Sequence, residues 1–325
     1  MKPILRIYFT DFWADFDVNN NYFKNILETK YDVIIDKENP DILIFSCYSN
    51  DFLKYENTIR IFYTAENIRP SFWECQYSIS FDYNLYSNRN LRLPLYVLYD
   101  RNYNLLLHKN SDDILAKKNK FCNFIVSNSM CKIRNEFFKI LNSKKQVDSA
   151  GRFLNNIGTE VSNKMDFIKD YRFTIAFENT SFPGYTTEKI FEPMTVNSIP
   201  IYWGNKLIDR EFNSQSFINV HDFSTLNECA NYVLELEENE QLLKSVLNQP
   251  WFPNNQLPEY FNTNRILEFF DQILNSTKPK KLNRNKANLS FQFRNNRFIK
   301  ILKYKTIDEL KYIKTVKLNP ILNTL

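Results

Sequence analysis

Five short apolar runs recur in the first hundred residues: LRIYF (Leu5–Phe9), YDVII (Tyr31–Ile35), DILIF (Asp41–Phe45), RIFYT (Arg60–Thr64) and YSISF (Tyr77–Phe81). Each is short for a helix and rich in β-branched and aromatic residues, so each reads as a buried strand. Between the first two, Tyr22–Leu27 has helical spacing. Buried strands separated by helical or turn segments predict an α/β fold with a mostly parallel sheet of Rossmann type. FCNFIVSN (Phe121–Asn128) adds a strand, and Ile133, Phe137, Phe138 and Leu141 mark the helix after it. The opening segment MKPILRIYFTDFWADF meets Asp11 and Asp15 early and has no small-residue cleavage site, so it reads as the first strand rather than a secretory leader.

All four glycines of the 325 residues lie between Gly151 and Gly204. At a usage of roughly 7%, a chain of this length would carry about 23. Glycine is needed where backbone turns left-handed or closely approaches another group, so its retention here marks a constrained region. The same window holds FTIAFENTSFPGYTTEKIFEPMTVNSIPIYWG (Phe173–Gly204). RFTIAFEN reads as a strand, TTEKIFEPMTV as a helix and SIPIYWG as the next strand, which makes one βαβ unit. SFINV (Ser216–Val220) and a helix over Leu226–Leu236 continue it, and KKQVDSAGRFLNNIG (Lys144–Gly158) reads as the connection leading into this second domain. In open α/β sheets ligands sit beyond the carboxyl ends of strands, which is the place of the loop Glu178–Tyr185.

Within that loop Pro183-Gly184 forms a turn, and Thr186 or Thr187 can cap a helix beginning near Glu188. The free N–H groups of the first turn and the helix dipole favour an anion. Lys189 adds a full charge, and Arg152 can add a bidentate fork. Glu188 beside Lys189 suits sugar hydroxyls, as does an amide such as Asn179, and Tyr185 offers a face to a base or a sugar. Charge for a diphosphate together with carboxylate and amide for hydroxyls is what a nucleotide-diphosphate sugar requires. An ordinary capped helix with a surface Glu-Lys pair fits the same spacing.

Composition narrows the alternatives. The five cysteines (Cys47, Cys75, Cys122, Cys131, Cys229) are odd in number and contain no C-x-x-C, which predicts reduced thiols. The only histidines, His108 and His221, are far apart, which argues against a His-based metal site or a Ser-His triad. No stretch approaches the roughly 18 apolar residues of a spanning helix. Residues 277–325 carry 13 Lys and Arg against Asp308 and Glu309, a net of +11, while the rest of the chain nets −6. A nucleic-acid binder would instead spread basic and aromatic residues over a folded face. In the tail, Phe298, Ile301, Tyr304, Ile307, Leu310, Ile313 and Val316 repeat every three residues, a row that winds around a straight helix. Two shorter helices are expected there, either on an anionic membrane surface or as a solvated basic extension.

Phe173–Gly204 resembles the donor-binding motif of the α1,3/α1,4-fucosyltransferases of glycosyltransferase family 10, which reads FxxAFENxxxPGYxTEK followed by IPIYWG. The resemblance runs from about Ile59 to Leu236 through FYTAENIRP (Phe62–Pro70), SISFDY (Ser78–Tyr83), LRLPLY (Leu91–Tyr96), FIVSN (Phe124–Asn128), VDSAGRFLNNIG (Val147–Gly158) and FINVHDF (Phe217–Phe223). It is nearest the bacterial members that build Lewis-type structures on lipopolysaccharide. It implies a GT-B fold, with two Rossmann-like domains facing across a cleft. Residues 1–148 would form the acceptor domain, 149–276 the GDP-sugar domain and 277–325 the basic C-terminal extension. It also implies that Arg152 and Lys189 neutralise the diphosphate, that Glu188, Tyr185 and Asn179 contact fucose, ribose or guanine, and that Glu66 is the catalytic base. Ala65 departs from the glycine that many members have there.

The implied reaction is α1,3-fucosylation, with inversion, of an N-acetyllactosamine-type acceptor by GDP-fucose. It requires no cofactor, and a divalent metal enters at most as a stimulant, since the motif regions contain no D-x-D. The expected location is cytoplasmic, peripheral on the inner membrane through the tail. Two other readings remain at this level: a transferase of the same fold using another GDP-sugar, and a non-catalytic glycan-binding protein.

Overall fold

A computed structural model describes residues 2–99, 107, 109–159, 161–276 and 281–295. The chain forms two compact units, one of Met1–Thr64, Ile68–Ile79 and Leu267–Leu325, the other of Ala65–Asn67 and Ser80–Ile266.

The first unit contains β1 (Ile4–Thr10), α1 (Tyr22–Leu27), β2 (Asp32–Ile35), β3 (Ile42–Phe45), β4 (Ile59–Tyr63) and β5 (Tyr77–Ser80). These strands follow one another across the sheet as β2-β1-β3-β4-β5, all parallel. All five expected strands form, as does the helix. The side chain of Asn21 caps α1 by accepting from the Lys24 amide at 3.0 Å. Residues Ile42–Phe45 are fully buried, as a central parallel strand requires. β2 departs from the expected burial, with Ile34 40% exposed, because it is the edge strand and has one neighbour only.

The second unit contains β6 (Asn90–Arg92), α2 (Ser111–Leu115), β7 (Lys120–Phe124), α3 (Lys132–Lys144), β8 (Asp148–Ser149), α4 (Lys164–Ile168) and β9 (Tyr171–Phe177). It continues with α5 (Glu188–Thr195), β10 (Ile199–Trp203), β11 (Ile218–Asn219), α6 (Leu226–Glu238) and α7 (Glu240–Leu247). Its sheet runs β11-β10-β9-β7-β8 and is again parallel throughout. Phe124, Phe173, Ile199, Ile201 and Val233 are buried in one core. Each contributes about 1.5–3 kcal/mol by leaving water.

Two sequence boundaries shift. The division expected at residue 148 falls before β7, because β7 pairs with β9 through Cys122↔Phe173 and so belongs to the second sheet. Lys144–Gly158 is likewise not a plain connection, since Asp148–Ser149 forms the edge strand β8. Gly151 serves that edge: a Cβ there would lie 2.1 Å from the Val126 carbonyl oxygen.

After α8 (Asn264–Asn275) comes α9 (Arg284–Asn295), the beginning of the basic tail. It is built into the first unit rather than solvated. Ala287 is fully buried and Phe291 meets Phe52 edge-on. Arg294 pairs at 2.5 Å with Glu74, a buried carboxylate. The three-residue row from Phe298 to Val316 lies outside the described residues. Among the described residues no helix is long and apolar enough to cross a membrane.

Candidate functional site

Strand β9 ends at Phe177, and the chain then carries Glu178 and Asn179 into the loop before α5. Thr187 caps α5, accepting from the Lys189 amide at 3.4 Å. The turn between them depends on Gly184, whose φ is +85°. A Cβ there would stand 2.7 Å from the Phe81 carbonyl oxygen.

A cavity of about 240 Å³ opens against this loop, with Asn128, Arg134, Lys164, Asn179, Glu188 and Lys189 among its lining residues. Lys189 Nζ lies 2.9 Å from Glu188 Oε1 and 3.6 Å from Glu178 Oε2. Burial lowers the affinity of the Lys189 amine for its proton, but Glu178 and Glu188 outweigh that effect and raise its pKa. Burial works against the Glu188 charge too, yet Lys189 and Lys164 bring its pKa below the usual value. Lys164 in turn pairs with Glu192. Arg134 is buried, donating from Nη1 to Asn179 Oδ1 at 3.0 Å and from Nη2 to the Asn128 carbonyl at 2.5 Å. Three cations and one carboxylate thus face this cavity, a balance that favours a diphosphate with hydroxyls beside it.

The sequence-predicted residues separate at this point. Asn179, Glu188 and Lys189 line the cavity together. Tyr185 is buried in an aromatic cluster with Phe81 and Phe182, 5.3 Å from the Phe81 ring, rather than among the cavity lining. Arg152 is exposed beside Gly151 and is not among the lining residues; the buried guanidinium here is that of Arg134. Arg134 occupies a position on α3 between Ile133 and Phe137, where the apolar spacing asks for a hydrophobe. That exception was the available signal. Glu66 is exposed after β4. Its neighbour Asn67 donates from Nδ2 to Thr180 Oγ1 at 2.6 Å, which ties the segment to the motif loop next to Asn179. His221 lies beside Gly204, with Nε2 3.3 Å from that carbonyl, and His108 is outside the described residues. Asp112 and Asp113 are exposed in the first turn of α2. Among the described residues no group of three His, Cys, Asp or Glu is placed to hold a metal. The five cysteines form no disulfide.

Two buried carboxylates escaped the sequence reading. Glu211 Oε1 accepts from Arg92 Nη2 at 2.6 Å, Tyr83 at 2.7 Å, Asn205 at 2.8 Å and Thr186 at 3.0 Å. Arg92 also donates to the Gly184 carbonyl at 3.3 Å, and the Gly184 amide donates to Asn205 Oδ1 at 2.7 Å. The network therefore holds the turn from below. Glu178, fully buried, accepts from the Thr187 amide at 2.8 Å and the Thr187 hydroxyl at 2.7 Å. Gly204 makes room for it, since a Cβ there would lie 2.4 Å from Glu178 Cγ.

Burial is the largest influence on Glu178 and pushes its carboxyl up from 4.5 to about 7, although Lys189 and the Thr187 hydrogen bonds oppose it. Between those two values the native state binds more protons than the unfolded chain, so the contribution of Glu178 to stability falls as pH rises through that window. Glu178→Gln is expected to flatten the decline in Tm between about pH 4.5 and 7. Thermal melts across that range check it. An unchanged slope would mean that Glu178 titrates as an ordinary carboxylate.

Two parallel α/β units, one with a cationic cavity beyond its strand ends, are the components of the GT-B fold of glycosyltransferases. A crystal structure of an α1,3-fucosyltransferase superposes with a TM-score of 0.75 at 30% identity, covering 85% of this chain and 91% of that one. A second, of an α1,3-fucosyltransferase with GDP-fucose, gives 0.73 at 29%, covering 86% and 94%. The model of the α-(1,3)-fucosyltransferase FucT N-terminal domain matches residues 7–99, and that of the glycosyltransferase family 10 (fucosyltransferase) C-terminal part matches residues 115–251. The chain belongs to glycosyltransferase family 10, the fucosyltransferases. It is 33% identical over 323 residues to the α-(1,3)-fucosyltransferase FucT of Helicobacter pylori, covering 84% of this chain and 66% of that protein. A putative fucosyltransferase of Acanthamoeba polyphaga mimivirus is 31% identical over 180 residues, covering 50% and 30%. The chain thus spans just under two thirds of the FucT length.

Proposed function

We propose that this protein transfers L-fucose from GDP-fucose to the 3-hydroxyl of an N-acetylglucosamine-containing glycan, with inversion at the anomeric carbon. The observation that carries this reading is the cavity at the start of α5, where Arg134, Lys164 and Lys189 face Glu188 and Asn179, in a family whose solved relatives include one with GDP-fucose. Lys189 and Arg134 neutralise the diphosphate as its charge grows in the transition state, and Glu188 and Asn179 hold sugar hydroxyls. Arg152, exposed three residues beyond β8, is outside the cavity lining and contributes to the phosphates only through its long-range charge. Tyr185 shapes the turn through its ring contacts. A single displacement needs one base on the acceptor side, and Glu66 is that base. The acceptor is a Lewis-type precursor, and the basic tail holds the enzyme near the anionic face of the membrane that carries it.

The decisive experiment incubates the purified protein with GDP-fucose and N-acetyllactosamine. GDP release and an α1,3-linked product are expected. Absence of turnover on this and on type 1 acceptors would refute the reading, and equal turnover with GDP-mannose would move the assignment to another GDP-sugar. Lys189→Ala is expected to weaken GDP binding by about tenfold or more, the value of a charge-assisted hydrogen bond. Calorimetric titration with GDP measures it, and unchanged affinity would remove Lys189 from the diphosphate site.

A further inference from the structure

The second unit holds another cavity, larger and at the opposite end of its strands. It encloses about 710 Å³ and is lined by Lys109, Lys117, Lys118 and Lys169, with Asp113 and Asp170 as the only acidic residues of the lining. Lys118 precedes β7, Asp170 precedes β9, and Asn197, also in the lining, precedes β10. This is therefore the amino edge of the sheet, whereas the loop of the first cavity follows the carboxyl end of β9.

Two of the four amines, the buried one of Lys118 and the half-buried one of Lys109, have no carboxylate in contact among the described residues. Lys118 is 4% exposed and donates to the carbonyls of Lys169 and, at 2.6 Å, Val196. Lys109 donates to the Gln249 carbonyl at 2.6 Å and lies 3.4 Å from the centre of the Trp251 ring. Burial pulls Lys109 down to about 7, and pulls Lys118 down to about 8 against the pull of Asp170. Among the described residues neither amine forms an ion pair, whereas Arg92 and Lys189 in the same unit each have a carboxylate within 3 Å. An ammonium carries three N–H groups, so one on Lys118 and two on Lys109 remain beyond those carbonyl bonds. A buried cation with no counter-ion is expensive, and an external anion removes that cost.

We propose that this cavity binds a phosphate-bearing anion, with Lys109 and Lys118 at its floor and Lys117 and Lys169 at its rim. Four lysines face only Asp113 and Asp170 in the lining, with Lys169 also paired to Asp166 at 3.3 Å, so the lining keeps an excess of positive charge that a phosphate group complements. Lysine binds phosphate as a compact point charge from several directions, without the planar geometry that arginine imposes. The phosphate can be free or carried on a lipid head group.

The test uses the full chain with GDP saturating the first cavity. Inorganic pyrophosphate is then titrated by calorimetry, and vesicles containing phosphatidic acid are assayed by sedimentation. One additional pyrophosphate site is expected, or vesicle binding in its place if the natural phosphate is lipid-borne. Lys117→Glu with Lys169→Glu changes exposed residues only. It should weaken that binding at least tenfold while leaving GDP affinity and Tm unchanged. If neither probe binds in the presence of GDP, the proposal fails. It fails equally if binding is indifferent to the two substitutions, which would place the anion elsewhere, for instance on the tail.

Discussion

Glu66→Ala is expected to lower kcat by about 100- to 10,000-fold, the range associated with loss of a general base, while GDP binds as before. The division follows from where the residue stands. Glu66 is exposed on the segment after β4 and is not among the residues lining the cavity around Lys189 and Arg134. It is nevertheless held in register with the motif loop, because the amide of Asn67 is anchored on Thr180 at 2.6 Å. A carboxylate so placed can accept the proton of an acceptor hydroxyl without touching the nucleotide. Initial rates with GDP-fucose and N-acetyllactosamine, with GDP titrations in parallel, separate the two effects. Retained turnover would make another group the base, and a matching loss of GDP affinity would return Glu66 to the donor side. Because the side chain is exposed, Tm should move little, which distinguishes a chemical defect from a folding one.

The second large effect concerns stability. Arg92→Met should destabilise the protein by about 3–5 kcal/mol, the cost of leaving one partner of a buried pair without the other. Glu211 is fully buried, and its Oε1 serves as the common acceptor for Arg92, Tyr83, Asn205 and Thr186. Arg92 also stacks 3.8 Å from the centre of the Tyr83 ring, so packing is lost with the charge. Replacing both members, Arg92→Met with Glu211→Leu, should restore much of the loss, since it is the orphaned carboxylate rather than the missing attraction that costs most. Thermal melts of the two single variants and the double variant give the coupling. A neutral Arg92→Met would mean that water reaches Glu211. The loss should also extend to function, because Arg92 and Asn205 together hold the carbonyl and the amide of Gly184. A displaced turn would shift the start of α5, and GDP affinity should fall even though neither Arg92 nor Glu211 lines the cavity.

How much of this was legible beforehand depends on the range of the interactions involved. Apolar runs of four to seven residues announced β1, β3, β4 and β9, because burial on both faces of a parallel strand imposes a local pattern. The motif loop was legible for a similar reason: turn residues, a capping threonine and an adjacent Glu-Lys pair act within a dozen positions. Asn179, Glu188 and Lys189 consequently emerged as one group. The exposure of Ile34 did not, because only the sheet order makes β2 an edge. Nor did the docking of α9, since the partners of Ser290 and Arg294 are Ser71 and Glu74, 219 and 220 positions away.

The sequence by itself determined that the chain is a parallel α/β protein with a donor-type motif between two strands, since strand, turn and cap chemistry is written in neighbouring residues. The tertiary structure alone decided which arginine faces the cavity, because Arg134 reaches Asn179 across 45 positions while Arg152, closer in sequence, is exposed and outside the cavity lining. It also decided the burial that raises Glu178 and the lysine-lined cavity at the amino edge. Both depend on what surrounds a charge in three dimensions, and desolvation by distant neighbours leaves no mark on local sequence.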